Sequence, residues 1–318
     1  MSFSGLPFDD VRSLLSQLNA PDEGAAAAMS KAFARAGYTG KELGRLHEIG
    51  VWLARTRGAV PPLIGKSGVA LYAATHGFSD TGLSEQRARV DAVAAGAAAV
   101  SHLCVANDLS LNVFDLALDL PSNDMRNDAS LDERACAATI AFGMEATAEG
   151  GDLLCVGALG EQASVAARAI LLTLLNGELA QLSQSDGDVI SEAFSHHAEH
   201  LTDPLEVLRR LGGRDISALT GAILASRAQN IPVILDGLPA LAAAAVLHKL
   251  APHAISHCAL ANCHDPFEAW VAEELALQPV LELQFTGEAG CAGAVAAGLV
   301  KSAAALAGGV AEVAKRLH

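Results

Sequence analysis

Four short stretches set polar side chains among small residues, where a ligand could come close to the backbone. The first is Thr286-Gly287-Glu288-Ala289-Gly290-Cys291-Ala292-Gly293-Ala294, which follows an apolar run. Glycine permits backbone conformations and close approaches that other residues resist. A carboxylate in such an apolar gap has its pKa raised by lost hydration and can serve as a general base. The same pattern fits the start of a helix, with Glu288 complementing the macrodipole. Residue types alone leave both readings open.

The second stretch, Val156-Gly157-Ala158-Leu159-Gly160-Glu161-Gln162-Ala163-Ser164, reads as strand, glycine turn, helix. That geometry suits an anion at a helix N-terminus, or a plain turn. It matches neither a dinucleotide fingerprint nor a P-loop. The third is Leu235-Asp236-Gly237, where a strand-end Asp can hold a ribose hydroxyl or stabilise a turn. The fourth is Thr75-His76-Gly77, and a lone His in such a turn serves structure as readily as chemistry. Two further clusters offer metal-type ligands: His196, His197 and His200, and His257, Cys258, Cys263 and His264. Neither has a zinc spacing, and both read as ordinary surface or loop, so no metal is expected.

The elements around these stretches follow a rhythm. Short continuous apolar runs at 69–75, 111–116, 152–157, 232–236 and 254–260 predict strands buried on both faces. Helical periodicity follows at 85–107, 131–148, 164–175, 238–250 and 267–276. Alternation of this kind predicts a doubly wound parallel α/β sheet. In such sheets ligands sit at the C-terminal ends of the strands, which points to His76-Gly77, 157–160, Asp236-Gly237 and His257. Residues 1–60 read as helices ended by Pro61-Pro62, and 293–317 as a long Ala-rich helix or pair of helices. The expected division is a small helical domain from 1–60 plus about 293–318, and a large α/β domain over 61–292.

Composition sets limits. The 318 residues are half apolar but only 4% aromatic, with 29 Gly, as suits small side chains packed between helices and a parallel sheet. A formal charge of −15 repels nucleic-acid phosphates and anionic lipid, so neither is an expected partner. Six scattered cysteines predict free thiols in a reducing compartment, hence the cytoplasm. No signal peptide and no membrane-spanning run are expected. A nicotinamide-dinucleotide oxidoreductase is disfavoured, because the first strand lacks its glycine fingerprint.

In order along the chain, GKELGRLHEIGVWLA (40–54), ATHGFSDTGLS (74–84), ANDLSLNVFDLAL (106–118), GGDLLCVGALG (150–160), GGRDISALTGAI (212–223), IPVILDGLPALAAA (231–244) and LQPVLELQFTGEAGCAGAVAA (277–297) resemble the nicotinate-nucleotide:5,6-dimethylbenzimidazole phosphoribosyltransferase family. The resemblance runs from about residue 40 to the end. It implies a Rossmann-like large domain, a small helical domain from both chain ends, and a homodimer. It also implies a reaction in which a benzimidazole nitrogen displaces nicotinate from nicotinate mononucleotide, with no cofactor and no metal. Glu288 takes the position of the family's base. Substrate-binding roles follow for His76 and Ser84, for Gly157, Gly160 and Ser164, for Asp236 and Gly237, and for Gly287 and Gly290. Residues from about 78 to 89 are expected to select the acceptor.

The sequence departs from the family at the phosphate loop. Ala158 stands where a Glu is usual, Glu161 and Gln162 interrupt the second glycine pair, and Ala163-Ser164 replaces Asn-Thr. Thr75 replaces an Asp, and Cys291-Ala292 replaces Thr/Ser-Gly. These changes keep open a second reading, a divergent subunit active only with a paralogue in a heterodimer, and a third, an enzyme with a purine or phenol acceptor.

Overall fold

The computed structural model describes residues 7–78, 82–160, 162–286 and 289–317. Glu288, Gly287 and Glu161 therefore lie outside the described residues, as do 79–81 between the first strand and its helix. In chain order the helices are α1 (Phe8–Ser16), α2 (Glu23–Arg35), α3 (Gly40–Leu43) and α4 (Arg45–Arg57), then α5 (Leu83–Ala94), α6 (Ala99–Ala106) and α7 (Glu133–Gly143). They continue with α8 (Ala163–Leu175), α9 (Gln184–His197), α10 (Pro204–Leu211), α11 (Arg214–Ala228), α12 (Leu238–Leu250), α13 (Pro266–Glu274) and α14 (Cys291–Arg316). The strands are β1 (Ser67–Ala73), β2 (Ser110–Asp115), β3 (Leu153–Leu159), β4 (Val233–Leu235), β5 (Cys258–Asn262) and β6 (Pro279–Leu281).

All described strand pairs are parallel, in the order β2-β1-β3-β4-β5-β6. Parallel strands need crossover helices, and these cover both faces. One face buries a core that includes Leu171, Leu219, Leu241 and Ile223, from α8, α11 and α12. The other buries Leu53 of α4 and the small residues Ala294, Ala297 and Val300 of α14, which lies across β1, β3, β4, β5 and β6. A third cluster joins Met29 and Phe33 of α2 with Ala54 of α4 and Ala307, Val310 and Ala311 of α14. Phe8, Val11 and Leu15 of α1 belong instead to the first core. Long apolar α14 is thus a core helix over much of its length.

The doubly wound parallel sheet expected from the alternation is what forms. Several details differ for physical reasons. β2 is an edge strand and is half exposed along its length, not buried on both faces. Gly96, at φ +74, breaks the expected 85–107 helix into α5 and α6. Gly44, at φ +49, separates α3 from α4 in the same way. Residues 252–255 form a 3-10 turn after α12, so β5 starts at Cys258 and runs on to Asn262. The Ala-rich stretch expected from 293 is one helix, Cys291–Arg316. All six cysteines are thiols, with no disulfide between them.

The winding reverses at β1, whose neighbours are β2 on one side and β3 on the other. A crevice opens beyond the strand ends at such a switch point.

Candidate active site

A cavity of about 870 Å³ opens there. Gly160, Ser164 and Arg168 reach it from the end of β3 and the start of α8. Asp236 and Gly237 come from the end of β4, and Asn262, His264 and Glu268 from the end of β5 and α13. Thr286, Ala289 and Ala292 bring the approach to α14, and Arg89 with 97–100 closes the side nearest α5 and α6.

Each polar group is fixed by its element. Asp236 ends β4, and its backbone N–H donates to the Val156 carbonyl at 2.9 Å. Its Oδ2 accepts the Gly293 N–H at 2.7 Å. Burial pushes its carboxyl up to about 6, the amides of Gly293 and Gly290 oppose that rise, and the nearby Glu268 charge adds to it. Glu268 is itself buried and raised in pKa, chiefly by burial. It accepts the His264 backbone N–H at 3.0 Å and the His264 Nδ1–H at 2.7 Å. Asn262 Oδ1 accepts the Leu283 N–H at 2.9 Å, which ties the chain before the glycine-rich turn to β5.

The cationic side of the cavity is at α8. Its N-cap residue, Gln162, gives no side-chain cap, and the Val165 amide bonds the Gln162 carbonyl at 3.1 Å, so among the described residues the Ala163 and Ser164 amides are the first-turn donors left to a ligand. Ser164 stands in that turn, and Arg168 follows four residues later on the same helix face. The Arg168 guanidinium lies 5.8 Å above the ring of Phe267 and 3.6 Å from Asp186, which hold it over the cavity wall.

Gly237, at φ +80, starts α12, and Gly290, also at φ +80, precedes α14. A Cβ on Gly290 would sit 2.9 Å from Val100 Cγ2 and 3.1 Å from Leu71 Cδ2. Both its conformation and its surroundings therefore require glycine.

The structure brings Gly160, Ser164, Asp236 and Gly237 together at one cavity, bounded by the turn that contains Gly290. It does not bring His76 there. His76 is buried beneath α11, with Nε2 3.0 Å from Asp215 Oδ2, and it touches the space a Gly213 side chain would need. The strand-end turn points inward, so His76 anchors the first turn of α11 to the end of β1. Ser84 is exposed on α5, off the cavity lining. Gly157 lies within β3 and packs against the Asp236 carbonyl and Leu71. His257 precedes β5 rather than following it, and its Nε2 lies 3.0 Å from the Ile223 carbonyl. Burial drives its pKa down to about 3. Gly287 and Glu288 fall outside the described residues.

Arg89, the last residue of the 78–89 stretch expected to select the acceptor, lines the cavity, whereas Arg168, Asn262, His264 and Glu268 were not singled out from the sequence as parts of this site. Once β5 is carried to Asn262, the rule that ligands meet strand ends leads directly to His264 and Glu268. Nothing in local spacing marks Arg168, which lies beyond the first turn of α8.

A doubly wound α/β fold whose switch-point crevice is lined by both acids and cations is an architecture suited to binding a small molecule. The family model described as phosphoribosyltransferase matches residues 18–316. The nicotinate-nucleotide–dimethylbenzimidazole phosphoribosyltransferase of Sinorhizobium fredii is 44% identical, over 99% of this chain and 98% of its own length. The protein of the same name from Agrobacterium fabrum is 44% identical, over 98% of this chain and 95% of its own. The crystal structure of CobT from Thermus thermophilus superposes with a TM-score of 0.80 at 25% identity, over 88% of this chain and 96% of that one. The chain belongs to this phosphoribosyltransferase family.

Proposed function

We propose that the chain transfers the 5-phosphoribosyl group of nicotinate mononucleotide to a nitrogen of a benzimidazole-type base, giving an α-ribazole-phosphate-like nucleotide for the lower ligand of a cobamide. The observation that carries this reading is the position of Thr286 and Ala289. They bracket Glu288 in sequence, and both line the cavity that Ser164 and Arg168 enter from the other side. The C1′–nicotinate bond breaks with its electron pair going to the cationic ring nitrogen. The acceptor's unprotonated ring nitrogen forms the new C1′ bond, and the proton on its other ring nitrogen passes to Glu288. Ser164, the α8 amides and Arg168 hold the phosphate.

Nicotinate release from the mononucleotide, measured across a panel of benzimidazoles, purines and phenols, tests the reaction and its acceptor. Turnover with a benzimidazole is the expected result. No turnover with any acceptor would sink the reading. Calorimetry of the purified chain with nicotinate mononucleotide then separates the alternatives. Absence of binding favours the partner-dependent subunit suggested by the altered 157–165 loop. We place the protein in the cytoplasm, in keeping with cysteines that form no disulfide. We also expect a homodimer, which sedimentation would report.

Arg168→Gln is expected to raise KM for the mononucleotide about ten- to a hundredfold, the worth of one charge-assisted contact to phosphate. The dephosphorylated nucleoside should be handled equally by variant and parent. An equal loss on both substrates would remove Arg168 from the phosphate site.

A further inference from the structure

We propose that Asp236 is a positioning residue: from the end of β4 its carboxylate caps the first turn of α14 and so fixes the helix start that follows Glu288 in the sequence, instead of binding the ribosyl donor. The proposal rests on the reaction proposed above, with Glu288 as base. Helix α14 is 26 residues long and opens on Gly290, which has no side chain to cap it. Its third amide, Gly293 N–H, finds its acceptor 57 residues away, in Asp236 Oδ2. This is the amide that an ordinary N-cap side chain would take. The Gly290 amide also favours the ionised carboxylate.

The contact is built for close fit. A Cβ on Gly293 would lie 3.2 Å from Asp236 Oδ2 and 3.1 Å from Cys155 Cβ. Cys155 Sγ donates to the Gly293 carbonyl at 3.3 Å, so the turn is gripped from two strands. Asp236 is itself held to β3 through its backbone N–H. A negative charge at this end of a long helix is favourable, and burial works against it. The titratable groups near the carboxylate are Cys155 on β3 and Glu268 on α13; His264, Arg89 and Arg168 line the same cavity.

The two roles predict opposite kinetics. Loss of a donor ligand raises KM, whereas a displaced base lowers kcat. In the full chain, Asp236→Ala is expected to lower kcat by about 100-fold with KM for the mononucleotide within about threefold. Asp236→Asn keeps an acceptor oxygen and should recover kcat to within about tenfold of the parent. The acid limb of its pH profile should lose one proton step, because the residue that replaces Asp236 does not titrate. Amide exchange reads the cap without any turnover: the Gly290 and Gly293 amides should exchange faster in Asp236→Ala, while those of α12 stay unchanged. Should Asp236→Ala not fold, Asp236→Asn decides by its KM and by the lost proton step in its pH profile. A raised KM with kcat intact in either variant, or unchanged exchange at Gly290 and Gly293 in Asp236→Ala, would overturn the proposal. If the parent shows no turnover, exchange still judges the cap separately from the reaction.

Discussion

Glu288→Gln should lower kcat for nicotinate release by about 10²- to 10⁴-fold, the range of a lost general base, with thermal stability unchanged. The amide keeps the shape of the carboxylate but cannot take a proton at neutral pH. The incoming azole must lose one from its other ring nitrogen as it bonds to C1′, so the deficit should appear in the chemical step and leave donor binding intact. The other carboxylates on the described cavity wall are already engaged. Asp236 receives the Gly293 amide, and Glu268 receives two hydrogen bonds from His264. A second test separates base from bystander. Acceptors of lower N–H pKa should be less affected by the substitution, because they depend less on proton removal. Unchanged kcat in Glu288→Gln would dismiss this residue as the base.

The sheet was legible because its interior strands are continuous apolar runs: β1, SGVALYA, is buried at every residue. Strand β6 was missed, since three residues, Pro-Val-Leu, give no periodicity to read. Helices α9–α11 were not drawn from the pattern either. Helix α11 buries nearly all its residues, so its sequence lacks the polar stripe that marks a surface helix. At the site, the polar-glycine turn led to Asp236 on the cavity wall, whereas the same rule at His76 led to a side chain turned into the core. A strand end shows where a turn occurs, not whether its side chain faces the crevice or the core. His76 turns toward Asp215, 139 residues away, and no local pattern reports a partner so distant. The Asp236–Gly293 bond was hidden for the same reason.

Gly221→Ala should destabilise the protein far more than a surface substitution, because the close crossing of α7 and α11 depends on reciprocal glycines. A Cβ at Gly221 would stand 1.8 Å from the Ile140 carbonyl oxygen, and one at Gly143 would stand 1.9 Å from that of Ala218. Both obstacles are backbone, so no side chain can rotate away and the helices must separate. Such overpacking costs about 1–3 kcal/mol. Separation also strains the buried bond from Tyr72 Oη to the Gly143 carbonyl, 2.8 Å long, and an orphaned buried group adds about 1–3 kcal/mol. Better helix propensity returns about 1 kcal/mol. The net loss, about 1–5 kcal/mol, is a large share of a typical domain's roughly 5–15 kcal/mol. It should appear as a lower urea midpoint with an unchanged slope. Gly309→Ala supplies the matched control. Gly309 is an exposed interior position of α14 with nothing within 4 Å of its would-be Cβ, so alanine there should stabilise by about 0.5–1 kcal/mol. Equal midpoints for the two variants would mean that α7 and α11 do not need to approach so closely.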